Sequence, residues 1–269
     1  MRSILAGRSR PVISRRWPQI RTDDLAWVYF DPQSGFLRAR AGCEAVRDAV
    51  VAEGGRFVQQ QVILPERPDG ELSHVLTSGG TKLKADRFLF AGGPWLLRLF
   101  PELTRNMKVT RQIEFFFATP TEASYFMENR LPCWTDRDEN GKSRGYGVPG
   151  NDYRGFKIAY ELRDDITDRF DRYDRFYRAE EVEHTRQVLA NRFPKLRAAP
   201  FIEGRVCQYT ETPDLDFILG LHPAHGNVWI LGGGSGHGYK HGASLGELTA
   251  QVMAGTATIP APFALQRLV

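Results

Sequence analysis

Residues 230–247, ILGGGSGHGYKHGASLGE, gather six glycines between Gly232 and Gly242 together with two histidines, a tyrosine and Lys240. The apolar run NVWILG precedes them, and the helix-like segment SLGELTAQVMAG follows. A strand that passes through glycines into a helix suits an anion. Missing Cβ atoms let a ligand touch the backbone, and the helix start presents unpaired N–H groups and a partial positive charge. A nucleoside triphosphate would need GxxxxGK[ST]. Gly233 and Gly238 have that spacing, but Tyr239 stands before Lys240 and His241 after it. A dinucleotide pyrophosphate would need GxGxxG, and the register from Gly232 and Gly234 puts His237 where the third glycine belongs. The third ligand class is a flat, electron-accepting ring that becomes an anion on reduction, whose charge a helix terminus stabilises. The plain alternative is a tight turn whose glycines only let strand and helix pack.

The histidines pose a second chemical question. His237 and His241 are four residues apart, and His222 and His225 are three apart, spacings at which a pair can ligate zinc. No HExxH occurs, Gly238 interrupts the first pair and Pro223 the second, so no metal is expected. Cys43, Cys133 and Cys207 show neither CxxC nor zinc spacing and are too few for a disulfide scaffold. A reducing, cytoplasmic setting is the expectation.

The elements that must position these residues read as two patterns. FLRARAGCEAVRDAVVAEGGRF carries Leu37, Ala41, Val46, Ala49 and Val50 at helical spacing and closes on Gly54 and Gly55. RFVQQQVILPE alternates like a strand, and GELSHVLTSGGTKLKADRFLFAGG reads as a hairpin and a buried strand. GPWLLRLFPEL starts a helix or a tight loop. MKVTRQIEFFFATP is a long β run, with further strands near RGYGVPG and GFKIAYEL. Charged helix is expected between 164 and 194, and strand, loop, strand, glycine turn and helix complete the chain.

With 269 residues, 42% apolar and 25% charged, the composition is that of one large or two modest globular domains. No run of 18 apolar residues marks a membrane span. The net charge of +4 owes much to MRSILAGRSRPVISRRWPQIR, with six arginines and no acid. Such a segment suits a transit peptide, an anionic partner, or packing against further polypeptide. RFDRYDRFYR interleaves arginine with aromatics as a nucleic-acid surface would, but Asp171 and Asp174 break the run. A salt-bridged helix start is preferred there, and no nucleic-acid partner is expected.

RVCQYTETPDLDFILGLHPAHGNVWILGGGSGHGYKHGASLGE (205–247) resembles the C-terminal signature of the FAD-dependent amine oxidases of the D-amino-acid oxidase superfamily, most of all the monomeric sarcosine oxidase-like branch. GFLRARAGCEAVRDAVVAEGGRF, ADRFLFAGGPW, VTRQ and YGVPG…GFKIAYE carry the likeness over nearly the whole chain. The resemblance implies that FAD is the cofactor. Gly234, Ser235, Gly236, His237 and Gly238 would line the flavin, and Ala91, Gly92 and Gly93 would lie near it. Cys207 matches a cysteine that bonds covalently to the ring methyl. Lys240 matches the lysine that holds a substrate carboxylate, Tyr146 a tyrosine bordering the substrate, and Lys157 a lysine assisting reaction with oxygen.

Two departures qualify the likeness. Glu161 stands four residues after Lys157, where the branch often has histidine. An acid there suits a cationic substrate or a structural pair with arginine. The strand–GxGxxG–helix unit that opens the family, with its ribose-binding acid, has no counterpart in the sequence. The implied architecture is therefore an incomplete α/β FAD-binding domain with a mixed sheet, residues 1–105 and 205–269. An α+β substrate domain on an antiparallel sheet, residues 106–204, is inserted into it. The implied reaction is oxidation of the C–N bond of a secondary or N-methylated amino acid, with oxygen or another acceptor taking the electrons. The alternative is a non-catalytic remnant, or a subunit that needs a partner chain supplying the dinucleotide-binding half.

Overall fold

The structure is a computed structural model, and it describes residues 6–8, 10–65, 70–120, 124–172 and 175–268. In chain order the first elements are β1 (Ala6–Arg8), α1 (Arg10–Arg16), β2 (Val28–Phe30), α2 (Ala39–Ala52), β3 (Val62–Ile63), β4 (Val75–Thr77), β5 (Lys82–Leu83), β6 (Phe88–Phe90) and α3 (Leu96–Leu99). Then come β7 (Lys108–Phe117), β8 (Trp134–Arg137), β9 (Ser143–Val148), β10 (Phe156–Ala159), β11 (Asp164–Asp165) and α4 (Ala179–Arg192). The last are β12 (Phe201–Glu211), β13 (Ile218–His222), β14 (His225–Gly232) and α5 (Gly242–Met253). Two compact units result. The first holds Met1–Phe36, Gln112–Arg163 and Asp174–Cys207, and the second holds Leu37–Arg111, Asp164–Tyr173 and Gln208–Val269. The described residues up to 36 therefore pack with the antiparallel unit rather than with 37–105. Asp24, which ion-pairs with Arg192 of α4, is one reason.

In the first unit β7 pairs β10, β10 pairs β9 and β9 pairs β8, all antiparallel, and β12 joins the far side of β7. Side chains alternate across a strand, so one face takes Ile113, Phe115 and Phe117 of β7 with Phe156 and Ile158 of β10. All five are at most 1% exposed. Phe193 packs edge-on against Phe156 at 4.9 Å and tilted against Trp134 at 5.2 Å between ring centroids, closing this aromatic core. Helix α4 covers the face with Thr185 and Leu189, one turn apart, and starts where the Glu181 carboxylate accepts the Arg178 N–H at 2.6 Å. Glu180 and Glu181 lie in its first turn and Arg192 in its last, the order that the helix dipole favours.

In the second unit β13 and β14 form an antiparallel pair and β14 pairs β6 in parallel, a mixed sheet. Its core joins Phe88, Val228 and Ile230 of these strands to Leu96, Phe100 and Leu103. Strands β3, β4 and β5 form a separate antiparallel sheet that includes the hairpin read from the sequence. GPWLLRLFPEL becomes a 3-10 turn at Gly93–Trp95, the short α3 and a second 3-10 turn at Pro101–Arg105. Helix α2 ends at Gly54, whose φ of +91° is the left-handed cap that glycine supplies.

Three expectations need correction. RFVQQQVILPE forms a strand only at Val62–Ile63. Residues 55–61 stay exposed, with Phe57 at 59%, because no ladder pairs them among the described residues. Among the described residues from 164 onward, helix begins only at Ala179: Asp164 and Asp165 pair β7 instead. The Asp165 carboxylate then accepts both the Thr167 hydroxyl at 2.7 Å and its backbone N–H at 3.0 Å, a local turn that competes with helix. RFDRYDRFYR is accordingly not a helix start, although Asp171 does pair with Arg98 at 3.1 Å; Tyr173 and Asp174 lie outside the described residues. Residues 1–5 and 9 of the arginine-rich start, with one of its six arginines, Arg2, also lie outside them. No helix among the described residues is long and apolar enough to cross a membrane.

Candidate functional site

The glycine elbow belongs to the second unit. Strand β14 ends at Gly232, the turn contains left-handed Gly233 (φ +68°), Ser235 (φ +44°) and Gly236 (φ +82°), and a 3-10 turn at Gly238–His241 leads into α5. Its glycines divide into two kinds. A Cβ on Gly233 would lie 2.9 Å from the Asp216 carbonyl oxygen and one on Gly236 2.5 Å from the Tyr209 ring, so packing requires these two. A Cβ on Gly234 would meet nothing closer than 3.7 Å, and Gly242 and Gly93 face open space. Packing thus accounts for Gly233 and Gly236, whereas Gly234, Gly242 and Gly93 leave their backbone uncovered by neighbouring atoms.

Ala91, Gly92 and Gly93 follow β6, whose Phe90 lies opposite Ile230 of the parallel β14. Both segments therefore leave the sheet at the carboxyl end of a parallel pair, where open α/β sheets bind ligands. Ser235 is buried; its N–H donates to the Thr210 carbonyl at 2.9 Å and its hydroxyl to that of Gly233 at 3.1 Å. Lys240 is exposed, and no ion pair reaches it among the described residues. Tyr239 lies over α2 at Gly42, where a Cβ would fall 2.0 Å from the tyrosine oxygen.

The histidines have structural partners. His237 donates from Nε2 to the Leu215 carbonyl at 3.0 Å, and its ring and that of His241 pack edge-on against Phe217. His222 stacks on His225 at 4.8 Å, its Nε2 is 2.5 Å from the Glu102 carboxylate, and His225 donates to the Gly70 carbonyl. Among the described residues no three His, Cys, Asp or Glu side chains group as metal ligands.

Lys157, Tyr146 and Cys207 belong to the first unit, on the sheet face opposite the aromatic core. Lys157 lies opposite Phe116 and Val148, and Tyr146 opposite Ala159. Alternation then places Glu114, Phe116, Lys157 and Tyr146 on one face. The Lys157 ammonium makes an ion pair with the Glu114 carboxylate and stands 5.7 Å from the Tyr146 ring centroid. Gly147 makes room behind them: a Cβ there would lie 2.7 Å from the Lys157 carbonyl oxygen. Burial pushes the Cys207 thiol above its usual range and Glu114 pushes it further, while Lys157, Arg175 and Arg205 pull it back only in part. Arg154 and Arg205 flank Phe116 at 4.4 and 5.8 Å and share Glu203. Glu161, the departure from the resembled pattern, forms an ion pair with Arg163 at 2.7 Å, the structural alternative.

Glu114 is the member of this face that the sequence reading missed. The available signal was a lone acid inside the β run QIEFFF. A charge in such a strand calls for a partner.

One unit thus carries a mixed sheet that ends in a glycine elbow, and the other an antiparallel sheet with a lysine–carboxylate pair. The family model described as FAD dependent oxidoreductase matches residues 6–252, and the chain belongs to that family. It is 29% identical over 242 residues to a monomeric sarcosine oxidase of Bacillus sp. (strain NS-129), covering 89% of this chain and 62% of the relative. It is 29% identical to an N-methyl-L-tryptophan oxidase of Escherichia coli O7:K1, covering 88% and 62%. Its fold matches the crystal structure of a fructosamine oxidase (Amadoriase II) from Aspergillus fumigatus with a TM-score of 0.80 at 20% identity, over 96% of this chain and 64% of that one. The chain thus spans about three fifths of the length of these relatives.

The residues present fit FAD. At Gly93, Gly234 and Gly242 an added Cβ would meet nothing closer than 3.7 Å, so the backbone there is open to a ligand, and Lys240 supplies a cation suited to an anionic one.

Proposed function

We propose that this protein is an FAD-dependent amine oxidoreductase that oxidises the C–N bond of a secondary or N-methylated amino acid. The open glycine elbow with its unpaired Lys240 carries this reading. Bound FAD would supply the acceptor for a hydride equivalent from the carbon next to the substrate nitrogen. Gly234, Ser235, Gly236, His237 and Gly238, with Ala91, Gly92 and Gly93, hold the ring by backbone contact. Lys240 holds the substrate carboxylate as a point charge, and Tyr146 borders the substrate. Lys157 would offer an N–H hydrogen bond from its ammonium to the oxygen that takes the electrons.

Cys207 is the residue that would tether the ring. Its raised thiol makes thiolate scarce, so attachment is expected to be slow. Acid precipitation after prolonged incubation with FAD should leave yellow flavin on wild-type protein and none on Cys207→Ala.

The decisive experiment is titration with FAD followed by anaerobic addition of sarcosine or another N-methyl amino acid. Saturable change in the flavin spectrum and bleaching by the amine support the reading; binding without bleaching by any secondary amine defeats the substrate assignment. Two glycine variants separate ligand contact from folding. Gly234→Ala, in open space, should keep the melting temperature and weaken FAD binding roughly tenfold. Gly236→Ala, at φ +82° against Tyr209, should cost about 1–3 kcal/mol of stability.

A second reading rests on helix α2, which has no buried residue although Val46, Val50 and Val51 form an apolar stripe 46–66% exposed. A polypeptide supplying a dinucleotide-binding half would cover such a stripe. FAD that binds only once that half is added would favour this reading.

A further inference from the structure

Glu114 lies in a strand whose neighbouring Ile113, Phe115 and Phe116 are all buried, and its own side chain is 18% exposed. A carboxylate this poorly hydrated needs a counter-charge, and Lys157, 25% exposed on the neighbouring strand β10, supplies it. The same lysine stands under Tyr146, and both members of the pair act on the Cys207 sulfur. Arg175 and Arg205 are the other charged side chains that reach that sulfur.

We infer that Glu114 is a positioning residue: it holds the Lys157 ammonium in one place beneath Tyr146 and cancels much of its charge toward Cys207 and toward the ligand of this face. The part concerning the ligand rests on the FAD reading above. An ion pair acts on its surroundings as a dipole, whose field falls off faster than that of a lone cation. Lys157 then offers a fixed hydrogen-bond donor without a net positive charge. A protein so arranged passes electrons to oxygen more slowly than one with an unpaired lysine. In that step two electrons and two protons from the reduced flavin and solvent convert dioxygen to hydrogen peroxide.

The test begins without flavin. Alkylation of Cys207 by iodoacetamide, followed by peptide mass spectrometry from neutral to alkaline pH, reports the charge at that sulfur. Glu114→Gln should move the Cys207 midpoint to lower pH by about one unit, and Lys157→Met should move it upward by a similar amount. Cys133, in the same unit, serves as the control for general loosening and should not move. A Cys207 midpoint unmoved in Glu114→Gln, or a Cys133 midpoint that moves equally, overturns the inference. If Glu114→Gln does not fold, Lys157→Met alone decides, because an unmoved midpoint there means that the pair does not act on the sulfur.

The second arm uses FAD-loaded protein reduced by light in the absence of substrate and mixed with oxygen. Glu114→Gln should reoxidise about tenfold faster than wild type. Equal rates overturn the charge-cancelling role toward the ligand. Failure of FAD to bind overturns the functional reading instead, and the Cys207 profiles still judge Glu114 without it.

Discussion

On the proposed amine-oxidase reading, Lys157→Met should slow reoxidation of the reduced flavin by oxygen roughly 100-fold and leave anaerobic reduction by the amine nearly unchanged. The asymmetry follows from where charge develops. The proposed roles ask nothing of Lys157 in the amine half-reaction, whereas transfer of electrons to oxygen would create an anion that its fixed N–H donor stabilises. Methionine keeps the length of the side chain, so the packing opposite Phe116 and Val148 survives. The substitution also strands the Glu114 carboxylate, which is 18% exposed, and this costs about 1–3 kcal/mol of stability. Pairing Lys157→Met with Glu114→Gln removes the stranded charge. The double variant should regain most of the lost melting temperature while oxygen reactivity stays well below wild type. Stopped-flow measurement of each half-reaction, with thermal melts of all three variants, separates the roles. A Lys157→Met protein that reoxidises at the wild-type rate would end the assignment of Lys157 to the oxygen reaction.

Local patterns in the sequence were sufficient where a segment's structure depends on its own residues. Helix α2 is legible from Leu37, Ala41, Val46 and Val50 and from Gly54, because spacing and cap lie within one window. The elbow is legible for the same reason: an apolar run, glycines and a helix pattern follow one another in β14 and α5. What separates packing glycines from open ones is not local. Gly236 is fixed by Tyr209 and Gly233 by Asp216, both many residues earlier, and nothing in GGGSGHG distinguishes them from Gly234. The pairing of Glu114 with Lys157 depends on the register between β7 and β10, which lie far apart in the chain. The failed helix after 164 shows the converse. Charged residues at helical spacing lost to a two-residue ladder with β7 and to the Asp165 turn. The alternation of RFVQQQVILPE lacked a partner strand, and alternation without a ladder does not make a sheet.

Arg192→Met should lower the stability of the first unit by about 3 kcal/mol at neutral pH, roughly 10 °C in melting temperature. Arg192 is 7% exposed and donates to Asp136 at 2.7 Å, to Asp24 at 2.9 Å and to the carbonyl of Arg21, while Arg21 donates its N–H back to the Arg192 carbonyl at 2.8 Å. Removing the guanidinium leaves Asp136, only 11% exposed, as a charge without its counter-ion. That uncompensated carboxylate is the dominant cost, and Asp24 makes the loss depend on pH. Burial pushes the Asp24 carboxyl upward, but the hydrogen bond and charge of Arg192, with Arg21, outweigh it and hold the group below its usual value of 3.8. A depressed carboxylate contributes stability above its unfolded value and surrenders it as pH falls through the folded one. The wild type should therefore lose stability below about pH 4, and Arg192→Met should lose less. The gap between the two proteins, measured by denaturant unfolding, should narrow from pH 7 to pH 3. A gap of constant size would mean that Arg192 stabilises by packing its aliphatic stem rather than by its charge. Adding Asp136→Leu to Arg192→Met tests the same point from the other side: it removes the stranded carboxylate, so the double variant should be more stable than Arg192→Met alone.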